Sequence, residues 1–417
     1  MRAWRRTLTT TTLVAVLAAS APMSLAQQEE RWDHVGDDPP SLAPSGQAPF
    51  ASEPMADLEP GQRPAPGSDE DGLWYQMDRV ERQLRTSGRV VTDPMLQAYV
   101  EGIVCRLAPE HCPNIRVYIV RTPHFNATMA PNGVMQVWTG LLLRMQNESQ
   151  LAYVLAHELA HYVRRHSLQN WRRVRDTGNA MAFFGLLTAA AGVGFVGSIG
   201  QLIAASTLFA YNRDQEREAD DIGIRMMTEA GYDPREASKA WSGLMAERGE
   251  DGKENDNLFF ATHPPLKERI VTLSDTARVL PQRERAAIDE DKLSDAAASH
   301  RVTWFQDELL RREPKESQRL LGRLLADDPD SGFLRFMYGE AFRLEYSDKG
   351  NARALEELAK ALSGREAPPE ALRSMGLIYW DMGDTAKAAE HFRRYLAMAP
   401  GADDRDMVST YLKELKQ

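Results

Sequence analysis

A short histidine-containing motif constrains this chain more than any other feature. Residues Leu155–His161 spell Leu-Ala-His-Glu-Leu-Ala-His, which places His157 and His161 four positions apart with Glu158 beside the first. On an α-helix, residues four apart lie on the same face, about one turn from each other. The neighbours are apolar, as at Leu151, and a buried polar side chain is costly without a partner. The segment therefore predicts a buried helix whose two imidazoles share a ligand.

Two imidazoles in this arrangement are typical of a catalytic zinc site, which also needs a third protein ligand and a bound water. Glu158 would project in a neighbouring direction and accept a proton from that water. The alternative is a pair of core histidines with ordinary hydrogen-bond partners. That alternative loses weight because the chain also carries a suitable third ligand.

The third ligand is predicted from a later segment. One class of zinc peptidases takes it from H-E-x-x-H-x-x-G-x-x-H, but Arg164 and Ser167 occupy the required Gly and His positions, which excludes that class. Another class uses a Glu on a later helix, and Glu216 is the candidate. Asp220, four residues on, would hydrogen-bond a ligating histidine and orient it. The alternative for such an acidic run is a set of solvated charges, and Glu218 is assigned to that class.

These motifs resemble those of a known family of zinc peptidases, related to the CAAX prenyl protease and to a bacterial heat-shock membrane peptidase. The resemblance covers about residues 73–280. Two further stretches match besides the segments that supply the predicted ligands. One is similar to the family's N-A-F and G-L-L pattern, with Thr in place of the Phe, and the other to its T-H-P and R-I pattern. Here they are Asn126-Ala127-Thr128 with Gly140-Leu141-Leu142, and Thr262-His263-Pro264 with Arg269-Ile270.

The resemblance implies a zinc endopeptidase with one catalytic ion, held by His157, His161 and Glu216, and with Glu158 as the general acid and base. Three other residues receive roles from it. Asn126 would lie beside the substrate and polarise the scissile carbonyl. His263 would face the active site, either stabilising the oxyanion or closing the open zinc position as an additional ligand. Arg269, like Asp220, would contact the ligands rather than the metal.

The amino-terminal residues predict an exported protein. Residues 1–26 combine early arginines, a short apolar run and the small-residue pattern Ser24-Leu25-Ala26, which is typical of a cleaved signal peptide. An uncleaved anchor is the alternative, but the apolar run is short for a membrane span. Residues 27–71 are rich in Pro, Gly, Ser and acidic residues and predict a disordered linker.

Net charge argues against one class of function, and the cysteine content predicts one covalent cross-link. The net charge of −10 argues against a nucleic-acid binder, which normally presents a basic face. The chain has two cysteines, Cys105 and Cys112. In an oxidising compartment we expect them to pair, with two free thiols as the alternative.

Periodicity predicts the first elements of the catalytic domain, residues 72–285. Helices are expected from about Leu73 and after Asp93-Pro94, where Asp is a cap and Pro suits the first turn. Residues 115–121 alternate like a strand, and the Pro-Asn-Gly turn before a second strand, residues 134–139, predicts a hairpin-like sheet element. The strand at 134–139 is expected to hold an extended substrate by edge pairing.

An uncharged stretch, Thr177–Asn212, is long enough to span a membrane. Repeated glycines and polar residues interrupt it, so we expect two shorter helical pieces in the core or in contact with a membrane surface. A transmembrane span is the alternative, and it would make the protein an integral membrane peptidase.

Residues 299–417 predict an α-solenoid of tetratricopeptide repeats. The best copy begins near Pro369 and fits the pattern W-x2-L-G-x2-Y…A-x3-F…P. Its matching positions are Leu372, Met375, Gly376, Tyr379, Gly383, Ala388, Phe392 and Pro400. An earlier copy carries Gly339, Phe342, Ala354, Leu358 and Ala361. Stacked repeats form a concave protein-binding surface; a generic helical bundle is the alternative.

The layout as a whole, a mostly α-helical protein with an α+β catalytic domain and a small sheet, resembles the periplasmic branch of the family, the beta-barrel assembly-enhancing proteases. The resemblance implies a periplasmic protease acting on outer-membrane proteins or their assembly machinery, which residues 299–417 would bind. The rival hypothesis is a chaperone-like adaptor that acts mainly through its repeats. That reading is weaker because a purely structural zinc site has no use for Glu158.

Overall fold

The fold is seen in a computed structural model, which describes residues 55–176, 211–248, 259, 263, 267–281 and 292–415. All of these residues belong to one compact unit, Pro54–Gln417. The predicted signal peptide lies outside the described residues, as do most of the predicted linker and residues 177–210 of the uncharged stretch. The part of the predicted linker that is described packs on the domain: Leu58 is buried and its N–H donates to the carbonyl of Val163.

The second helix begins at its predicted cap, whereas the first begins before the expected Leu73, inside the predicted linker. Helix α1, Asp69–Thr86, starts after Ser68, whose hydroxyl accepts from the N–H of Asp71. Helix α2, Pro94–Leu107, starts after Asp93, whose carboxylate accepts from the N–H groups of Met95 and Leu96. These bonds satisfy N–H groups that have no partner inside the helix. Cys105 in α2 forms a disulfide with Cys112, as expected, and a short 3-10 helix, Cys112–Asn114, follows.

The sheet has three strands, β1 (Arg116–Val120), β2 (Ala127–Met129) and β3 (Val134–Trp138), in the order β1-β3-β2. The predicted pairing was wrong. Strand β3 pairs with β1 in parallel, from Arg116↔Val134 to Val120↔Trp138, and its hairpin partner is β2. Strand β2 has only three residues, too few for the alternation by which strands are recognised in a sequence. Strand β3 is therefore central, and β2 lies at an edge.

Helix α4, Glu148–Val163, is the centre of the predicted catalytic domain. It follows the short helix α3, Thr139–Arg144, and contacts β2, α2 and two later helices, α6 (Arg213–Glu229) and α7 (Arg235–Arg248). All of its residues from Glu148 to Tyr162 are buried. Helix α5, His166–Asp176, and helix α8, Lys267–Val279, complete this region. The motif helix is thus buried on every side, as its apolar composition predicts.

The carboxyl-terminal part is helical throughout its described length. Its elements are α9 (Lys292–Ala297), a short 3-10 helix (Ala298–His300), α10 (Arg301–Leu310), α11 (Pro314–Asp327), α12 (Gly332–Arg343), α13 (Asp348–Ala361), α14 (Glu370–Asp381), α15 (Thr385–Met398) and α16 (Arg405–Glu414). With one small sheet among the residues that the structure describes, the protein is mostly α-helical, as predicted.

In two neighbouring helix pairs, a glycine at the contact lets the two helices pack closely against each other. Helix α12 packs on α13, and α14 packs on α15. A Cβ atom on Gly339 would lie 2.8 Å from Cγ of Leu358, and one on Gly376 would lie 2.5 Å from Cε1 of Phe392. These glycines occupy the same position in the two predicted copies. The assignment to the tetratricopeptide family stays a prediction.

The catalytic and carboxyl-terminal parts share one hydrophobic core. Helix α10 packs on α3, and α11 packs on α7. Trp304, Phe305 and Leu320 belong to the same buried cluster as Leu141 and Leu155. The two parts therefore meet through buried apolar surface as well as through a linker. Among the described helices, none is both long and apolar enough to cross a membrane.

Candidate active site

The two motif histidines lie together on helix α4. Their Nε2 atoms are 3.1 Å apart, and both rings are buried. The helix starts after Asn147, whose side chain accepts from the N–H of Gln150. This start, together with the apolar residues around the motif, directs His157 and His161 towards the interior.

Helix α6 brings the predicted third ligand to the histidines. Oε2 of Glu216 lies 3.6 Å from Nε2 of His157, and Oε1 lies 3.5 Å from Nε2 of His161. A close approach of the two helices makes this possible. A Cβ atom on Gly223 would lie only 3.1 Å from the backbone nitrogen of His157. Glycine at that position lets α6 lie directly against α4.

His263 completes a group of four candidate ligands. Its Nδ1 lies 2.9 Å from Oε1 of Glu216 and 3.4 Å from Nε2 of His157. One nitrogen or oxygen from each of His157, His161, Glu216 and His263 falls within 4.8 Å of the others. The structure thus brings His263 from a distant part of the chain to the predicted ligands.

The chemistry of these four residues fits a metal ion. Burial lowers the pKa of both His157 and His161, which favours the neutral imidazole that coordinates a metal. Burial disfavours charge on Glu216 too, but His263 and Arg269 outweigh this and hold its pKa well below the usual range. Neutral imidazoles and one carboxylate are the ligands that a catalytic zinc site uses.

Asp220 and Arg269 form a buried pair behind the ligands. Oδ1 of Asp220 lies 3.0 Å from Nδ1 of His157, without the alignment of a straight hydrogen bond. Arg269 donates to both carboxylate oxygens of Asp220, at 2.6 and 2.7 Å, and its Nη1 lies 2.5 Å from Glu216. The hydroxyl of Tyr153 also donates to Asp220. Both predicted supporting residues therefore contact the ligands.

His166 contacts the site and was not predicted. Its Nδ1 lies 2.8 Å from Nδ1 of His161, and its Nε2 lies 3.0 Å from Oε2 of Glu218. Glu218 was assigned to the solvated charges, and its side chain is 38% exposed, but it also pairs with Arg164 at 2.7 Å. Helical spacing gives no signal for this contact. The chain turns back at Arg165, whose φ is +55°, and so returns His166 to the motif.

Tyr211 is a second residue that sequence reasoning missed. Its ring stacks on that of His161, with centroids 3.6 Å apart and planes 12° from parallel. Its hydroxyl lies 3.1 Å from Oγ of Ser167. The residue belongs to the uncharged stretch that was expected to enter the core or contact a membrane surface, and nothing in that composition indicated a contact with the motif.

Glu158 occupies the position that a general base requires. Burial raises the pKa of Glu158 to about 7, although His263 opposes this rise. The backbone N–H of Met129, in β2, donates to its carboxylate, and Nε2 of His263 lies 3.4 Å from Oε1. Burial also disfavours a charged His263, but Glu216 and Glu158 outweigh it and raise the pKa of this imidazole. A carboxylate with a pKa near 7 can both accept and return a proton.

Asn126 is buried immediately before β2. Its backbone carbonyl accepts from the N–H of Trp138. Neither atom of its side-chain amide has a hydrogen-bond partner among the described residues. The structure therefore places Asn126 next to the edge strand but shows no contact between it and the four candidate ligands.

Comparisons with known proteins agree with this geometry. Residues 91–277 match the family model described as peptidase family M48. The mitochondrial metalloendopeptidase OMA1 of Schizosaccharomyces pombe is 36% identical over 155 residues, which are 37% of this chain and 44% of that protein. The beta-barrel assembly-enhancing protease of Escherichia coli K12 is 27% identical over 203 residues, 46% of this chain and 41% of that protein. The OMA1 metalloendopeptidase of Bos taurus is 30% identical over 176 residues, 40% of this chain and 32% of that protein.

The chain thus spans less than half the length of these curated relatives. The matched region begins before α2 and contains the sheet, the motif helix and every candidate ligand. The family match and the group of three histidines and one glutamate lead to the same result. Residues 91–277 therefore resemble peptidase family M48 both in sequence and in the residues that they offer to a metal ion.

Proposed function

We propose that this protein is a zinc endopeptidase of the cell envelope. The observation that carries the proposal is the convergence of His157, His161 and Glu216 next to a buried Glu158 whose pKa is raised to about 7. The first three would hold the ion. When bound, zinc supplies Lewis acidity that activates a water molecule and polarises a peptide carbonyl.

The protein's own residues then carry the proton. Glu158 accepts it from the attacking water and returns it to the leaving amine. His263 lies 3.4 Å from Glu158 and has two roles open to it. Its Nε2–H would stabilise the oxyanion in one role, whereas in the other its Nδ1 would be a further metal ligand. Asn126 is proposed as a second donor to the oxyanion, because its buried amide has no partner among the described residues.

We propose that the substrate pairs with strand β2. The strand predicted for this role, β3, is paired on both sides and has no free edge. In β2, Asn126 and Ala130 bond inward to β3, so alternation directs the backbone of Ala127 and Met129 outward. The outward N–H of Met129 reaches Glu158, which means that this edge faces the catalytic group. An extended peptide added there would lie next to the reacting carboxylate.

The envelope role rests on two further observations. A relative whose name includes beta-barrel assembly matches the catalytic region, and the amino-terminal residues have the composition of a signal peptide. We therefore propose a periplasmic location and outer-membrane proteins, or their assembly machinery, as substrates and partners. Residues 299–417 would bind them.

The decisive experiment compares the wild-type chain with Glu158→Gln for zinc content and cleavage of casein. Because glutamine cannot take the proton, we expect cleavage to fall by about 10²- to 10⁴-fold while zinc remains bound. Glu101→Gln, an exposed change in α2, is the matched control and should cleave normally. A wild-type chain without zinc or cleavage would refute the peptidase. Full cellular function of Glu158→Gln would favour the adaptor hypothesis instead.

A further inference from the structure

The turn after the motif helix places a further buried histidine against the candidate metal site. Helix α4 ends at Val163, and Arg165 adopts a φ of +55°, so the chain reverses and α5 begins at His166. The ring of His166 is fully buried. Its Nδ1 lies 2.8 Å from Nδ1 of His161. At this distance one of the two nitrogens must donate a proton and the other must accept it.

The metal site decides which nitrogen is the donor. Nε2 of His161 is the atom that faces the other candidate ligands, 3.1 Å from Nε2 of His157 and 3.5 Å from Oε1 of Glu216. A nitrogen that coordinates a metal carries no proton. The proton of a neutral His161 must then be on Nδ1, and His161 donates to His166.

The remaining proton positions follow from the same rule. Nδ1 of His166 is an acceptor, so its own proton is on Nε2, which lies 3.0 Å from Oε2 of Glu218. An ionised carboxylate only accepts hydrogen bonds. Arg164 holds the other oxygen of Glu218 at 2.7 Å. The three side chains therefore have one consistent arrangement, in which each donates to the next from His161 to Glu218.

The same contacts fix the orientation of the ligand ring. The bond to His166 fixes the direction of Nδ1, and the stacked ring of Tyr211, 12° from parallel, fixes the plane of His161. His157 has a simpler support, the carboxylate of Asp220 at 3.0 Å. Partners that fix the tautomer and the ring direction of a ligating histidine raise its metal affinity.

We propose that His166 and Glu218 are positioning residues of the metal site, and that their hydrogen-bonded chain holds His161 in the tautomer that zinc requires and contributes a large part of the zinc affinity. The proposal rests on the metal site put forward under the proposed function. It adds two residues to which neither the motif nor the third-ligand pattern assigns a role.

The test is the zinc affinity of purified full-length chains, measured by competition with a chromogenic chelator. His166→Leu removes the acceptor, and we expect about 10- to 100-fold weaker binding. His166→Asn keeps an acceptor oxygen near the position of Nδ1, and it should restore binding to within about threefold of wild type. Glu218→Gln should lie between the two. His391→Leu, a change at a buried histidine in α15, is the control and should bind zinc like wild type.

A second readout is the position of the proton on His161. In nitrogen-15 spectra of the metal-free protein, the proton of neutral His161 should stay on Nδ1 in wild type and in His166→Asn, and should lose this preference in His166→Leu. Equal affinity of His166→Leu and wild type would overturn the proposal. So would an affinity of His166→Asn as weak as that of His166→Leu, since loss of packing alone would then explain both. A wild-type chain that binds no zinc would refute the metal site itself, and this proposal with it.

Discussion

Nη2 of Arg144 lies 2.9 Å from Oε2 of Glu308, and both side chains are buried. The arginine ends α3 in the catalytic domain, and the glutamate belongs to α10 in the carboxyl-terminal part. The Nε of the same arginine donates to Glu247 in α7, at 2.7 Å. Its Nη1 donates to the carbonyls of Pro123 and Gly140. One guanidinium thus joins three helices and the loop that leads to β2.

We expect Arg144→Met to destabilise the protein strongly. The change removes one partner from each of two buried carboxylates. Glu308 keeps its ion pair with Arg311, and Glu247 keeps its ion pair with Arg323. Removing one member of a buried ion pair costs about 3–5 kcal/mol. In Arg144→Met with Glu308→Gln, the loss of unfolding free energy should be smaller than the sum of the two single losses. Denaturant unfolding measures all three variants, and strictly additive losses would contradict the coupling.

Removal of the metal should abolish cleavage and lower the melting temperature together. Zinc that binds the folded chain but not the unfolded one adds about 4 kcal/mol when present at 1,000 times its dissociation constant. Added zinc should restore both properties after chelation, and magnesium should not, because imidazole is a poor ligand for it. A chain with His157→Ala and His161→Ala is the control. If zinc still shifts the melting temperature of that variant, the ion binds at another site.

Ala127→Pro should weaken the cleavage of long peptides. The N–H of Ala127 points away from β3, so its loss leaves the β2–β3 hydrogen bonds intact but removes one bond to an added strand. A hydrogen bond contributes about 0.5–1.5 kcal/mol, which corresponds to about a two- to tenfold rise in KM. Thr128→Val keeps every backbone N–H and is the control. An unchanged KM for long peptides would show that substrates bind without pairing to β2.

Stability should fall between neutral pH and pH 4, in part because of His124. Burial, with the positive charge of Arg311, lowers the pKa of His124 to about 4. In the unfolded chain it titrates near 6.5. Between these values the unfolded state binds more protons, so acid favours unfolding, and the loss is complete below pH 4. Because the ring is partly exposed, we expect about 1–2 kcal/mol.

The comparison with His124→Gln isolates this contribution. Carboxylates and the other histidines titrate equally in both chains, so their effect cancels in the difference. Measured by denaturant unfolding at pH 7.5 and pH 4, the variant should lose less stability than wild type. Equal losses of stability in the two chains would show that protonation of His124 does not destabilise the folded state.

Local signals were sufficient for the elements that carry the catalytic motif. The cap at Asp93 and the start of α4 both follow from side chains within a few residues of the helix they begin. The four-residue spacing of His157 and His161 requires only helical geometry to bring the rings together. Glu216 followed from the ligand pattern of one class of zinc peptidases, because no local signal connects it to the motif across more than fifty residues.

Contacts between distant segments depended on tertiary structure. The parallel pairing of β1 with β3 arises because β2, too short to be recognised, occupies the position that a hairpin would have given to β1. His166 meets His161 only because the backbone reverses at Arg165. Glu218 was taken for a solvated charge because its partner cannot be seen along one helix.

The sequence by itself determined the ligand chemistry and the helix that presents it, since periodicity and capping act over a single turn. Tertiary structure decided which strand is left at the edge for a substrate, which residues orient the ligands, and how Arg144 joins the catalytic domain to the helices that follow. Those contacts are made by packing and hydrogen bonding between segments far apart in the chain, and their free energy depends on the whole fold.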